Sequence, residues 1–253
     1  MKLGVVQPVP YSEIDKAMED ILKENFKAMG RAGTEADVLW LKTGYTEPTY
    51  SWTETYNAVE VAKACYRAWK SGYDGVVIGC TQDPGLYEAR SIVDIPVTGV
   101  TESSVGIAST LGSKFSFVCL LPAEAASIAD KIRRYGLTGR LASIRYTKLS
   151  SVEAKKLYGD PAKLVGVFRE VAVKAISEDK AEVIVAGCTI LGSILTHQGI
   201  HQIENVPLID PLWAGIKMAE ILVDLKQTYG TGVCRASIYS APPDWDEEIP
   251  IED

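Results

Sequence analysis

Histidine is scarce in this 253-residue chain. His197 and His201 are the only two, and neither stands beside a cysteine or an acidic motif that would make a zinc site. A solvated helix or loop edge is the expectation for both. Paired cysteines are missing too. Cys65, Cys80, Cys119, Cys188 and Cys234 are odd in number, irregularly spaced and without a Cys-x-x-Cys, which argues against a disulfide scaffold in a chain of this size. Positive charge falls short of negative, 26 Lys and Arg against 33 Asp and Glu, and the net charge of −7 disfavours a nucleic-acid or anionic-membrane partner. No apolar run approaches the roughly 20 residues of a membrane-spanning helix. The N-terminus lacks a charged segment followed by an apolar stretch and a cleavage site, so a cytoplasmic location is expected by default. No linker rich in Gly, Ser or Pro divides the chain. No lysine motif for pyridoxal phosphate and no metal motif is present, so any chemistry is expected to run without a cofactor.

What remains is a globular chain, 47% hydrophobic and 23% charged, long enough for one large domain or two small ones. Its centre is Gly75-Val-Val-Ile-Gly-Cys-Thr-Gln-Asp-Pro-Gly85. A short β-branched run that stops at Gly is the pattern of a buried parallel strand, and open α/β sheets place ligands at such carboxyl ends. The phrase recurs as Glu182-Val-Ile-Val-Ala-Gly-Cys-Thr189. The repeat extends outward. Lys2-Leu-Gly-Val-Val-Gln-Pro8 matches Lys114-Phe-Ser-Phe-Val-Cys-Leu-Leu-Pro122, and Ile95-Pro-Val-Thr-Gly-Val matches Val206-Pro-Leu-Ile-Asp-Pro at nearly the same offset. Each half reads strand, helix, strand, helix, strand–Gly–Cys, helix, strand–Pro, helix, a duplicated α/β unit with one cysteine from each copy.

Taken in order, strands are expected at 3–7 (closed by Pro8 and Pro10), 37–41 and 140–145. Helices are expected at 13–32 with Ser12 as N-cap, 58–70, from 86, 123–135, 161–179 and 218–229. Residues 43–56, polar and aromatic with little periodicity, read as a loop: a lid or specificity wall over the site, or else an oligomer contact or plain surface. A loop is also expected through Lys155 and Asp160. The acidic, proline-rich tail over 241–250 reads as an extended arm or disorder, not a folded element.

A lone cysteine is usually a small buried hydrophobe, and Cys65, Cys119 and Cys234 are taken as such. Cys80 and Cys188 differ, because each follows Gly at a strand end and opens a turn toward a helix. Backbone N–H groups and a helix dipole there favour an anion and should lower the thiol pKa. Two such thiols facing one substrate suit inversion at a carbon bearing an acidic proton. One thiolate removes the proton, N–H groups hold the enolate, and the other thiol returns a proton to the far face.

With these residues on the page, the chain resembles the aspartate/glutamate racemase superfamily, cofactor-independent enzymes with two cysteines, over nearly its whole length. Gly79-Cys-Thr-Gln-Asp-Pro-Gly-Leu-Tyr-Glu-Ala-Arg90 is similar to the hydantoin racemase branch, which includes allantoin racemases, and so are Ile95-Pro-Val-Thr-Gly-Val and Tyr135-Gly-Leu-Thr-Gly-Arg-Leu-Ala-Ser-Ile-Arg145. Gly187-Cys-Thr189 fits the wider superfamily. The resemblance implies two similar parallel-sheet lobes related by a pseudo-twofold, with the site in the cleft. Lobe 1 would comprise residues 1–99 and 210–253, and lobe 2 residues 100–209. It implies Cys80 and Cys188 as the acid–base pair, Thr81 and Thr189 as neighbours whose backbone or hydroxyl groups hold substrate oxygens, and a homo-oligomer.

The chain departs from that branch at Gln7-Pro-Val-Pro-Tyr11, at the aromatic loop around Tyr45, at Thr81 and at Leu120-Leu121. Gln7, Tyr45 and Leu121 are thereby expected near the substrate. A 5-substituted hydantoin or an allantoin-like molecule is the expected substrate. An amino-acid racemase, a maleate-type isomerase and a non-catalytic two-lobed binding protein remain as alternatives. A malonate-type decarboxylase is disfavoured, because those enzymes keep a single cysteine.

Overall fold

The computed structural model describes residues 1–241. The first half comprises β1 (Lys2–Pro10), α1 (Lys16–Met29), β2 (Glu35–Leu41), α2 (Ser51–Lys70), β3 (Gly75–Ile78), α3 (Leu86–Ile92), β4 (Val97–Gly99) and α4 (Val100–Leu111). The second comprises β5 (Phe115–Cys119), α5 (Pro122–Arg134), β6 (Leu141–Tyr146), α6 (Ser151–Lys156), α7 (Pro161–Ser177), β7 (Val183–Ala186), α8 (Thr189–His197), β8 (Gln202–Ile203), β9 (Val206–Ile209) and α9 (Pro211–Tyr229). The first sheet has the order β2-β1-β3-β4, all parallel; the second has β6-β5-β7-β9, also parallel, with β8 added antiparallel at the edge. Both halves thus follow one topology, and the duplication read from the sequence is a duplication of fold.

The apolar runs explain the layers. Val76, Val77 and Ile78 on β3, and Val183, Ile184 and Val185 on β7, are fully buried because helices cover both faces of each sheet. Leu3, Val5, Leu22 and Val77 of the first half share one hydrophobic cluster with Val118, Phe168, Ile184 and Leu212 of the second. The halves are therefore fused through a common core. Helix α9 returns to the first sheet, where the Thr98 hydroxyl donates to the Gly215 carbonyl (3.0 Å). The segment after it reaches α3, with the Arg235 guanidinium donating to the Arg90 carbonyl (2.7 Å).

Several boundaries differ from expectation. Strand β1 continues through Pro8 to Pro10, with a register irregularity between Gln7 and Pro10 where the prolines cannot donate. Ser12 caps a 3-10 turn, Glu13–Asp15, and α1 proper starts at Lys16 and ends at Met29. Helix α2 takes in the last six residues of the presumed 43–56 loop. They show no apolar stripe, because Trp52 and Tyr56 point outward. Helix α6 occupies part of the presumed loop near Lys155. Ser150 and Glu153 cap it reciprocally, a Ser-x-x-Glu signature that the sequence carried in plain view. Strand β8 was not expected. Glu204 and Asn205, both at positive φ, turn it into β9. The expected tail arm lies, after Ala241, outside the described residues.

Candidate active site

The cysteine turns start identically. Gly79 N–H donates to the Val6 carbonyl, and Gly187 N–H to the Val118 carbonyl, each at 2.8 Å. Both glycines sit in close approach, Gly79 to a side-chain end and Gly187 to backbone as well. A Cβ on Gly79 would lie 2.6 Å from Gln7 Nε2, and one on Gly187 would lie 2.5 Å from Cys119 Sγ. Each cysteine is thereby lifted off the carboxyl end of a central strand.

After that the turns diverge. Cys188 is the N-cap of α8, in extended conformation, and the N–H groups of Ile190 and Leu191 point at its sulfur. Cys80 has no helix directly behind it. It enters a turn through Asp83 (φ 44°) and Gly85 (φ 70°), α3 begins only at Leu86, and one backbone donor, Gln82 N–H, serves its sulfur. The Asp-Pro-Gly motif is a construction element. Asp83 accepts from Thr101 N–H (3.0 Å), Glu102 N–H (2.9 Å) and Tyr135 O–H (2.7 Å), capping the first turn of α4 and tying it to the end of α5.

The two turns are bound to each other. The Thr81 hydroxyl donates to the Gly187 carbonyl (2.8 Å), and the Thr189 hydroxyl donates to the Gly79 carbonyl (3.1 Å). Each threonine thus reaches the glycine that precedes the other cysteine. Both hydroxyl protons are spent on protein carbonyls, so toward a ligand these side chains can accept but not donate.

Cys80, Cys188, Thr81 and Thr189 line one cavity, whose empty volume is about 610 Å³ including its open mouth. Val9, Met18, Trp40, Pro48 and Ile190 form an apolar wall. Gln7 also lines it, 3% exposed, and its Nε2 makes no hydrogen bond among the described residues. The loop before α2 supplies Thr46, Glu47, Pro48 and Thr49. Glu47 accepts the Ser151 hydroxyl of α6, and Lys155 of α6, half-buried, meets the buried Asp15 at 2.6 Å. Two bonds therefore join the first half to α6 at the cavity.

Three expectations are corrected. Tyr45 does not line the cavity, because its ring packs edge-on against Tyr56 (5.3 Å) and its hydroxyl accepts from Trp52 Nε1 (3.1 Å). Leu121 does not line it either. Its N–H is held by Glu124, the residue three positions on that reaches the cavity in its place. The thiols are not depressed. Burial, the largest cause for both, pushes Cys80 up to about 12 and Cys188 well above the ordinary thiol range; the Gln82 N–H offsets only part of this at Cys80, where the charges of Glu54, Asp83 and Glu124 add to the rise, and Glu124 is the main neighbouring charge at Cys188. Both cysteines stay partly accessible from the cavity all the same.

Sequence reasoning missed Asp15, Glu47, Glu124 and Lys155. Glu124 had a signal, since Leu121-Pro-Ala-Glu is a helix start with Pro first and Glu third. Lys155 and Asp15 are 140 positions apart and had none.

The Asp/Glu/Hydantoin racemase family model matches residues 16–219. A hydantoin racemase of Pseudomonas sp. (strain NS671) is 32% identical over 225 residues, 89% of this chain and 87% of that one. Among solved structures, an allantoin racemase from Klebsiella pneumoniae superposes with a TM-score of 0.84 at 26% identity, covering 96% of this chain and 94% of its own. An allantoin racemase from Pseudomonas fluorescens gives 0.82 at 26% identity, with 96% and 97% covered. The chain belongs to the Asp/Glu/hydantoin racemase family and is an isomerase, a racemase, of that family.

Proposed function

We infer that the protein interconverts the enantiomers of a 5-substituted hydantoin, with Cys80 and Cys188 as the two acid–base groups. The observation that carries this is the placement of one strand-end cysteine from each sheet in a single cavity, in turns that hold each other through Thr81 and Thr189. The hydantoin C5–H is acidic because the adjacent ring carbonyl accepts the charge. One cysteine, as thiolate, takes that proton. The ring flattens as its enolate, and the other thiol delivers a proton to the opposite face. The two cysteines end with exchanged protonation, ready for the reverse enantiomer. A thiol held near 12 is seldom ionised, but as a thiolate it is a strong base, suited to a weak carbon acid.

The charges of the cavity support a hydantoin over aspartate or glutamate. Lys155 is the one cation among its lining residues, and it is already paired with Asp15. Glu47 and Glu124 add further acid groups. A dicarboxylate would meet repulsion there, whereas a neutral ring with N–H groups finds acceptors, and the free Gln7 Nε2 offers a donor to a ring carbonyl. The apolar wall suits an apolar or aromatic C5 substituent better than the polar ureido group of allantoin. Optical rotation of enantiopure 5-benzylhydantoin, allantoin, aspartate and glutamate with enzyme tests this. Decay is expected for the hydantoin, and for C80A and C188A it should fall to the spontaneous rate. Inversion of glutamate or aspartate alone would move the assignment to the amino-acid racemases.

A further inference from the structure

Glu124 belongs to none of the roles above, yet it lines the same cavity as both cysteines. Its side chain is 8% exposed in a largely apolar setting. Oε2 is fixed by Leu120 N–H (2.9 Å) and Leu121 N–H (3.3 Å), while Oε1 has no hydrogen bond among the described residues. The carboxyl is therefore anchored through one oxygen and open to the cavity through the other. Around it stand Glu47 from the loop before α2, the Asp15–Lys155 pair, Cys80, Cys188, and Cys119 at the end of its own strand. Glu54 of α2 lies next, paired with Lys131 at 3.1 Å. No cation in this set is free to stabilise a second negative charge.

We propose that Glu124 is the third proton-bearing group of the active site, sharing one negative charge with the two cysteines, so that the reactive site holds a thiolate beside a protonated Glu124. Removing one proton from the neutral site leaves a single charge, borne either by Glu124 with both thiols intact or by one sulfur with Glu124 protonated. Exchange between these forms moves one proton between sulfur and carboxyl oxygen and needs no other reactant. Both a thiolate and a carboxylate in this cavity would repel, and the shifts agree. Burial and, more weakly, Glu47 raise Glu124 to about 7; the Glu124 charge is the leading charge that raises Cys188 and adds to those of Glu54 and Asp83 at Cys80. In the protonated form, the carboxyl also presents an O–H to the cavity, where a substrate carbonyl gathers charge.

A pH profile follows. Below about 7 the thiolate-bearing form grows tenfold per pH unit; above it, the singly charged site dominates and that fraction levels off. Glu124→Gln keeps an acceptor for the two N–H groups and removes the titration, so its thiolate fraction keeps climbing. The experiment is iodoacetamide labelling of the intact protein from pH 6 to 9, with Cys80, Cys188 and exposed Cys234 quantified separately by peptide mass spectrometry. For Cys80 and Cys188 the wild type should bend near pH 7. E124Q should not bend, and its rate relative to wild type should grow about 100-fold between pH 7 and 9. Steady climbing of the wild-type rates through pH 9 would overturn the proposal without any variant, as would an E124Q profile that keeps the bend. The same profiles are then taken for hydantoin C5–H exchange, since the catalytic meaning of Glu124 rests on the hydantoin chemistry inferred above. Labelling needs no substrate, so absence of turnover would sink that chemistry while the labelling still decides the charge sharing.

Discussion

Thr81 donates its hydroxyl to the carbonyl of Gly187, 2.8 Å away in the other half of the molecule, and Thr189 returns the contact to Gly79 at 3.1 Å. Two polar links between the cysteine turns are thus made by the residue after each cysteine to the residue before the other. The spacing of the thiols is a property of this crossed pair. Thr81→Val keeps the shape and leaves the Gly187 carbonyl without its donor, which should cost about 1–3 kcal/mol. Thermal unfolding should show a drop of several degrees, and inversion should fall more than the stability loss alone explains. Thr81→Ser should recover both.

Gly187→Ala should be among the most damaging small substitutions. Its Cβ would meet Cys119 Sγ at 2.5 Å and the Val118 carbonyl at 2.9 Å, and the latter is backbone that cannot step aside. Gly166→Ala, at an exposed position of α7 with nothing within 4 Å of the added Cβ, should instead stabilise by about 0.5–1 kcal/mol. Urea unfolding of the two variants reads this difference in sign directly.

Breaking the Asp15–Lys155 pair should cost more than a surface ion pair, because Asp15 is buried and Lys155 half-buried where α6 meets the first half. Lys155→Met leaves an unpaired buried carboxylate, and a loss of about 3 kcal/mol is expected. Asp15→Asn combined with Lys155→Met should lose less than Lys155→Met alone. Denaturation of the single and double variants checks this coupling.

Stability should decline as pH rises from about 5 to 7. Burial raises Asp83 and Asp210 to about 6 and Glu124 to about 7, so between the unfolded carboxyl range and these values the folded chain binds more protons than the unfolded one. The contribution of these groups is therefore greatest below the window and is lost on passing upward through it. Calorimetric melting temperatures across pH 5–8 should fall accordingly, and Glu124→Gln should flatten the upper part of the slope.

Much of this was visible in the sequence for a definite reason. Uninterrupted apolar runs ending in Gly-Cys-Thr occur twice, a pattern that fully buried parallel strands leave, and their brevity, Gly stops and repetition allowed the two sheets and both cysteines to be placed by number. What stayed hidden depends on contacts between distant parts of the chain. The Thr81 hydroxyl has the right chemistry for a substrate oxygen, and only the facing Gly187 carbonyl shows where its proton goes. Tyr45 stands in a loop rich in binding-type residues, but its neighbours Trp52 and Tyr56 occupy its ring and hydroxyl. The thiols were expected to be acidic because donors are local and legible, whereas the burial that outweighs them is a product of the whole fold.

The central claim is that two thiols invert one carbon, and hydrogen exchange in deuterated water tests it most directly. Proton NMR would follow the C5–H signal of each enantiomer of 5-benzylhydantoin with wild type, C80A and C188A. Two-base chemistry predicts that wild type exchanges both enantiomers with loss of optical rotation. Each single variant should lose inversion and retain, at most, exchange of one enantiomer, with opposite preference in the two variants. Inversion that survives in either variant, or equal exchange of both enantiomers by one remaining thiol, would contradict it.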